Sequence, residues 1–413
     1  MEKTKNKRFL FHAVGIIFVC FFMQYFYSCL PGDNLNVLQT YLPELRGWTP
    51  LQITTPVTIG ALLAVPGTLL FGTVIVKKGP NFVIIPSIIL MAVCQAAIAV
   101  TDNLLVYSVA MCLIRLLIQI ISLGMTTLIA NWFVSWRGRA LGIITIGSQF
   151  NTATSVALLT KGCDALGFRT SYLILSGAIA VLAILTMLLS RDNPSAFGLD
   201  SDGAEQEQLI TASNVNSEEV WPLKQIFAAW GTWVLIIGMG FLTFIIKAIM
   251  PNFMPRMLAV GFSKNLTLML LTVATVCGMP LSYLFGWIND RYGAPKACIT
   301  LGFAYIMTVL SFRFAHPGME WLLFFAVLGI GCITGGTASL YPALAMHIYG
   351  QAHFAHVNRY VMTIQNIIVA FAVSFMSAIQ TATGSLNGAF DVLLIMAVFA
   401  TGLLFTVRQK HNG

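Results

Sequence analysis

Three charged side chains stand inside apolar runs, and their types define the chemistry open to this chain. Asp33 follows the run from Phe9 to Leu30, after a Pro31-Gly32 break. Arg115 falls near the middle of the run 104–132, and Lys247 near the end of 228–252. Charge at membrane depth is costly unless it is paired or faces water, so each such residue needs a reason. A carboxylate withdrawn from water can take up and release a proton near neutral pH. An arginine stays charged and forks onto carboxylates, and a lysine offers a compact point charge. The set is therefore suited to holding an organic anion on Arg115 and Lys247 while Asp33 carries a proton. Each residue also has a plainer role. Asp33 is a wet interfacial acid if the helix ends at Leu30, because about 20 residues already span a bilayer. Lys247 can snorkel to the outer interface. Arg115 can form a fixed ion pair with Asp33 or bind a backbone carbonyl.

Softer polar residues surround these charges. Helical spacing puts Ser108, Arg115, Gln119, Ser122 and Thr126 on one face of the fourth run. Thr145, Ser148, Gln149, Thr152 and Ser155 recur on the fifth, and Thr334, Thr337 and Tyr341 on the tenth. Asn36 lies on the first run, and Gln365 and Asn366 on the eleventh. The candidate substrate contacts are Arg115, Lys247, Gln119, Gln149, Asn36, Tyr341 and Gln365, with Asp33 for the proton. Interhelix hydrogen bonding is the other use of such residues.

Catalysis and bound groups find no support. There is no nucleophile–His–acid set, no HExxH and no Walker sequence. No cofactor is expected, and the chain is not read as an enzyme. Gly329, Gly331, Gly335 and Gly336 resemble a nucleotide loop only by letter. They lie in an apolar run, where close helix packing explains them. The eight cysteines form no CxxC pair, and His347, His353 and His356 are not spaced as metal ligands.

The elements that must position these residues follow from composition. Of 413 residues, 57% are hydrophobic and 9% charged, and mean hydropathy is +0.82. Soluble domains carry about 25% charged residues, so this is a multi-pass membrane protein. Apolar stretches of spanning length fall at 10–42, 51–75, 82–101, 104–132, 140–161, 170–190, 228–252, 265–288, 296–315, 319–347, 358–382 and 388–407. Only helices satisfy the backbone over such lengths in lipid. An all-α protein with twelve transmembrane helices is expected, in two pseudo-symmetric six-helix bundles. These are 1–190 and 223–413, joined by a cytoplasmic linker over 191–222 that holds nearly half the acids. The N-terminal run is longer than a signal-peptide core and lacks a small-x-small site, so it reads as an uncleaved first span.

Of the 23 Lys and Arg residues, fifteen flank one side of these spans, six the other, and two lie inside. That bias puts both termini and the linker in the cytoplasm of a cell-membrane protein. It also explains the net charge of +8 without nucleic acid.

The two halves echo each other. Tyr41-Leu42-Pro43 and Gly47-Trp48-Thr49 follow the first span; Phe253-Met254-Pro255 and Gly261-Phe262-Ser263 follow the seventh. Gly72 to Gly79 follows the second span, and Gly286 to Gly293 the eighth. A repeat of two six-helix units marks transporters whose site lies at mid-membrane.

Gly286-x-x-x-Asp290-Arg291-x-Gly293 resembles the loop signature of the major facilitator superfamily. So do its first-half copy ending Lys77-Lys78-Gly79 and the run Arg137-Gly138-Arg139-Ala140-Leu141-Gly142. The resemblance covers essentially the whole chain. It implies a monomeric transporter working by alternating access, with Gly286, Asp290, Arg291, Gly293, Lys77, Gly79, Arg137 and Arg139 as a conformational loop motif. Asp33 to Pro43 resembles the first span of anion:cation symporters. Asn131-Trp132-Phe133 and Asn193-Pro194 through Asp202-Gly203 resemble oxalate:formate-type and monocarboxylate porters. Val76 stands where the family has an acid. The superfamily's usual Arg on the fourth helix matches Met111, one turn before Arg115. Ser282 and Gln365 stand where the oxalate exchanger type has cations, which argues against a small dicarboxylate. The reading is symport of a small carboxylate anion with a proton. An exporter of hydrophobic compounds and a non-transporting receptor are the alternatives.

Overall fold

A computed structural model describes residues 2–133, 137–194 and 223–407. Every element in these residues is helical. The first stretch is one continuous rod: α1 (Glu2–Ser28), a π-helical segment (Cys29–Asp33) and α2 (Asn34–Arg46). Then come α3 (Pro50–Lys78), α4 (Asn81–Val100), α5 (Leu104–Trp132), α6 (Arg137–Leu166) and α7 (Phe168–Leu189). After the linker the chain enters α8 (Leu223–Ala228) and α9 (Trp230–Trp233). A second π segment (Val234–Met239), α10 (Gly240–Ile249), a 3₁₀ turn (Met250–Asn252) and α11 (Phe253–Val260) follow. The remaining helices are α12 (Lys264–Tyr292), α13 (Ala294–Phe314), α14 (Trp321–Ala370), α15 (Ala372–Thr383) and α16 (Asn387–Phe405).

All twelve apolar stretches fall on these helices. Among the described residues, nine helices are long and apolar enough to cross a membrane, and a pair bent by 43° at residue 338 makes a tenth. The two stretches outside that set are the first and the fifth. The first is divided at its π segment, leaving only His12–Ser28 as a shorter apolar helix. The fifth, α6, is diluted by hydroxyl and amide residues. These two polar helices pack on each other.

The repeat is visible in the caps. Gly47 and Gly261 both take positive φ, 66° and 104°. This left-handed turn ends one helix, and glycine adopts it without a Cβ penalty. The hydroxyl two residues later starts the next helix. Thr49 Oγ1 accepts from Gln52 N at 3.3 Å while Gln52 Oε1 accepts from Thr49 N at 2.9 Å, a reciprocal capping box. Ser263 Oγ accepts from Leu266 N at 3.4 Å. The loop-motif glycines also match, Gly79 at φ 87° and Gly293 at φ 84°.

Internal packing divides the chain into two units. One holds Met1–Asn34 and Thr55–Ser217, and the other Leu35–Thr54 and Glu218–Gly413. The end of the first rod, from Leu35 on, thus groups by packing with the second unit. In the second unit, the glycine run on α14 does pack closely. A Cβ at Gly335 would lie 2.5 Å from Gly278 O, and one at Gly336 would lie 2.8 Å from Leu301 Cδ1.

Candidate functional site

In the first unit the rod does not stop at Leu30. Pro31 removes a donor from the helical ladder, and the chain absorbs this by widening to π geometry. Asn34 N bonds back to Cys29 O, five residues earlier. The rod carries Asp33 inward, where its side chain is 6% exposed. It is not a wet interfacial acid. Its Oδ2 accepts from Asn151 Nδ2 at 2.6 Å and from Thr152 Oγ1 at 2.8 Å, both on α6. Next to it, Asn34 Oδ1 accepts from Tyr172 OH on α7. Asn151 Oδ1 on α6 is buried without a hydrogen-bond partner, as is Asn34 Nδ2, and buried Ser155 Oγ faces only the Cys29 thiol.

Arg115 lies on α5 with its Nε buried and unpartnered. No carboxylate pairs with it among the described residues. Tyr27, on the same rod as Asp33, is its electrostatic neighbour. The backbone of α3 closes against its stem, since a Cβ at Gly60 would lie 2.6 Å from Cys112 O and 2.7 Å from Arg115 Cβ. Gln119, one turn on, is half-buried, and Ser122 shares that exposure. Gln149 on α6 is half-buried as well.

The second unit also holds a buried arginine, with a different environment. Arg256 is 6% exposed, but its Nε and Nη2 donate to Phe312 O at 3.3 and 3.0 Å, and Nη2 also to Arg313 O at 3.2 Å. It closes the C-terminal carbonyls of α13 and lies over the Phe390 ring at 5.2 Å. Arg256 therefore has a structural role that Arg115 lacks.

Three of the second unit's candidate ligands use their amides or hydroxyls on protein groups. Pro251 forces a 3₁₀ turn in which Phe253 N takes Met250 O. Asn36 Oδ1 accepts from Met254 N at 3.0 Å while Asn36 Nδ2 donates to Met250 O at 2.9 Å. Gln39 Nε2 donates to Pro251 O at 3.1 Å. At the π segment, Gln365 Nε2 donates to Leu235 O at 2.6 Å. Tyr341 OH donates to Asn358 Oδ1 at 2.6 Å. Lys247 sits in the last turn of α10 with an exposed side chain.

The loop-motif residues lie at helix ends. Lys77 is exposed, Arg291 stacks on Trp287 and Tyr292 at 5.3 and 5.7 Å, and exposed Asp290 accepts from Asn289 Nδ2 at 3.3 Å. Gly286 lies one turn before Asp290 on α12. Arg137 and Arg139 open α6, and their side chains, like the linker beyond Pro194, are outside the described residues. Asp192 Oδ1 accepts from Asn81 N at 2.7 Å at the start of α4, and Asn131 Nδ2 donates to Asp192 O at 3.1 Å. Sequence reasoning missed Asn151, Asn34, Tyr172 and Asn358. The signal for Asn151 was present, an amide in an apolar run beside Thr152.

Comparison with known proteins fits this architecture. The model of the Major Facilitator Superfamily matches residues 13–373. The chain belongs to the Major Facilitator Superfamily. This superfamily member is therefore a membrane-spanning transporter by family. The MFS-type transporter hasB of Aspergillus fumigatus (strain CBS 144.89 / FGSC A1163 / CEA10) is 24% identical over 216 residues. That match covers 51% of this chain and 46% of the relative, so the chain spans about half the length of the curated relative it matches. Among solved structures, a mutant of the nucleoside transporter NupG aligns with a TM-score of 0.71 at 13% identity, covering 94% of this chain and 98% of that one. A bacterial homolog of the human lysosomal transporter Spinster aligns with a TM-score of 0.65 at 13% identity, covering 97% and 96%. At such identities the likeness establishes the fold.

Proposed function

We propose that this protein is a secondary active transporter that moves a small carboxylate anion across the cell membrane by alternating access, with a proton at Asp33 as the coupling ion. The observation that carries the reading is Arg115. A guanidinium with a buried, unpartnered Nε and no carboxylate among the described residues is an anion site in waiting. Gln119 and Gln149 are the half-buried amides best able to add hydrogen bonds. Lys247 is a second cation for the substrate. Asn36, Gln365 and Tyr341 support the helices that line the path. The excess of cations on one side supports cytoplasmic termini. The loop motif at Gly286, Asp290, Arg291 and Gly293, with Lys77, Gly79, Arg137 and Arg139, serves the change of conformation.

The test is a stabilisation screen of purified protein against monocarboxylates and dicarboxylates, followed by uptake into proteoliposomes. Arg115→Ala should weaken binding of any hit by about 100-fold, the value of a charge-assisted pair in a poorly solvated site. Unchanged affinity in Arg115→Ala moves the anion site elsewhere.

A further inference from the structure

Around Asp33 the first unit holds more oxygen than a proton needs. A proton requires one acceptor, and the carboxylate alone supplies it. Yet α6 presents Thr152 Oγ1, the Asn151 carboxamide and Ser155 Oγ from two successive turns of one face. Asn151 is 0% exposed and Ser155 2% exposed. Asn151 Oδ1 is buried and lacks a hydrogen-bond partner, and buried Ser155 Oγ has no oxygen or nitrogen partner and faces only the Cys29 thiol. Cys29, one turn before Asp33, lies beside both Asp33 and Ser155, which brings Ser155 to the same pocket. Leaving buried polar atoms unsatisfied is costly, and native proteins keep few of them without a reason.

We propose that this pocket is a binding site for a monovalent cation of sodium size, ligated by the Asp33 carboxylate, Asn151 Oδ1, Thr152 Oγ1 and Ser155 Oγ. The inference rests on the reading of Asp33 as the coupling group and adds a second ion that can neutralise it. An all-oxygen set suits a hard cation, and one carboxylate matches one positive charge, where divalent sites gather several. Turning the Asn151 amide about its terminal bond exchanges nitrogen for oxygen and presents a carbonyl to the ion. The adjoining amide, Asn34, does not join the set, since its oxygen already accepts from Tyr172. A broken helix beside the carboxylate is the setting in which transporters hold coupling ions.

The test uses the purified full-length protein without substrate, melted in sodium chloride and in choline chloride of equal ionic strength. Sodium should raise the melting temperature by about 2 °C or more, and choline should not. Ser155→Ala should melt within about 1 °C of the parent in choline, because the lost hydroxyl faces only the weakly bonding Cys29 thiol, but should need at least about ten-fold more sodium for the same shift. Asp33→Asn should abolish the shift, and Thr152→Val should do so if Asp33→Asn does not fold. Equal melting in both salts, or a full sodium shift in Ser155→Ala, overturns the site. Arg115→Ala should keep the sodium shift. Failure of anion binding with an intact shift therefore sinks only the anion reading, and the converse sinks only the cation site.

Discussion

Two rods in this molecule are broken near a proline, and they are filled in opposite ways. In the first unit the π segment Cys29–Asp33 brings an acid to hydroxyls and an amide, with Asn151 Oδ1 unfilled and Ser155 Oγ facing only a thiol. In the second unit the π segment Val234–Met239 and the 3₁₀ turn at Pro251 are met by neutral carboxamides, Gln365, Asn36 and Gln39, which bond to backbone groups. The same local irregularity thus yields a charged pocket in one place and a closed joint in the other. The two buried arginines repeat the contrast. Arg115 has a bare Nε, and Arg256 is used up on the end of a helix. Irregular backbone alone does not mark a working site; an unfilled polar atom beside it does.

Substitutions can break this contrast. The largest expected effect is on Asp33. Asp33→Asn should abolish accumulation driven by a pH gradient while exchange of labelled for unlabelled anion persists in proteoliposomes. Accumulation at the parental level would return Asp33 to a structural role. Next is Asn36→Ala, which removes the bonds to Met254 N and Met250 O. It should destabilise the purified protein by about 2–3 kcal/mol, read as a lower melting temperature. Gln365→Ala should cost less, about 1 kcal/mol, because Leu235 O keeps its bond from Gly240 N. If Asn36→Ala or Gln365→Ala instead weakens anion binding without lowering stability, the joint is a substrate contact and the contrast fails.

Much of the fold was legible in the sequence, for a physical reason. Lipid demands long apolar helices, so hydropathy alone located stretches such as 104–132, which match α5 residue for residue. The repeat was legible because Gly47 and Gly261 need a backbone that other residues avoid. Charges were legible as candidates because they are rare in spans. Their partners were not. Helical spacing on the fifth stretch picked out Thr152 but passed over Asn151, since facing depends on how two helices are rotated against each other. The π segment adds a residue to its turn and rotates everything beyond it. Pro31-Gly32 therefore read equally well as a helix end. Nor did hydropathy reveal that Asn36 and Gln39 seal a break more than 200 residues away in the chain, because the need arises only once Pro251 has disturbed its own helix.

The close approach of α12 and α14 has a mechanical meaning. At Gly335 the two helices meet backbone to backbone, against Gly278 O and Ser282 N, and at Gly278 the Thr334 hydroxyl fills the remaining space. Rotamer changes cannot lubricate such a contact, so neither helix can slide or roll on the other without a clash. The pair behaves as a stiff plate. Deformation within the second unit then falls more easily on the rod from Trp230 to Val260, where the helical ladder is already interrupted twice.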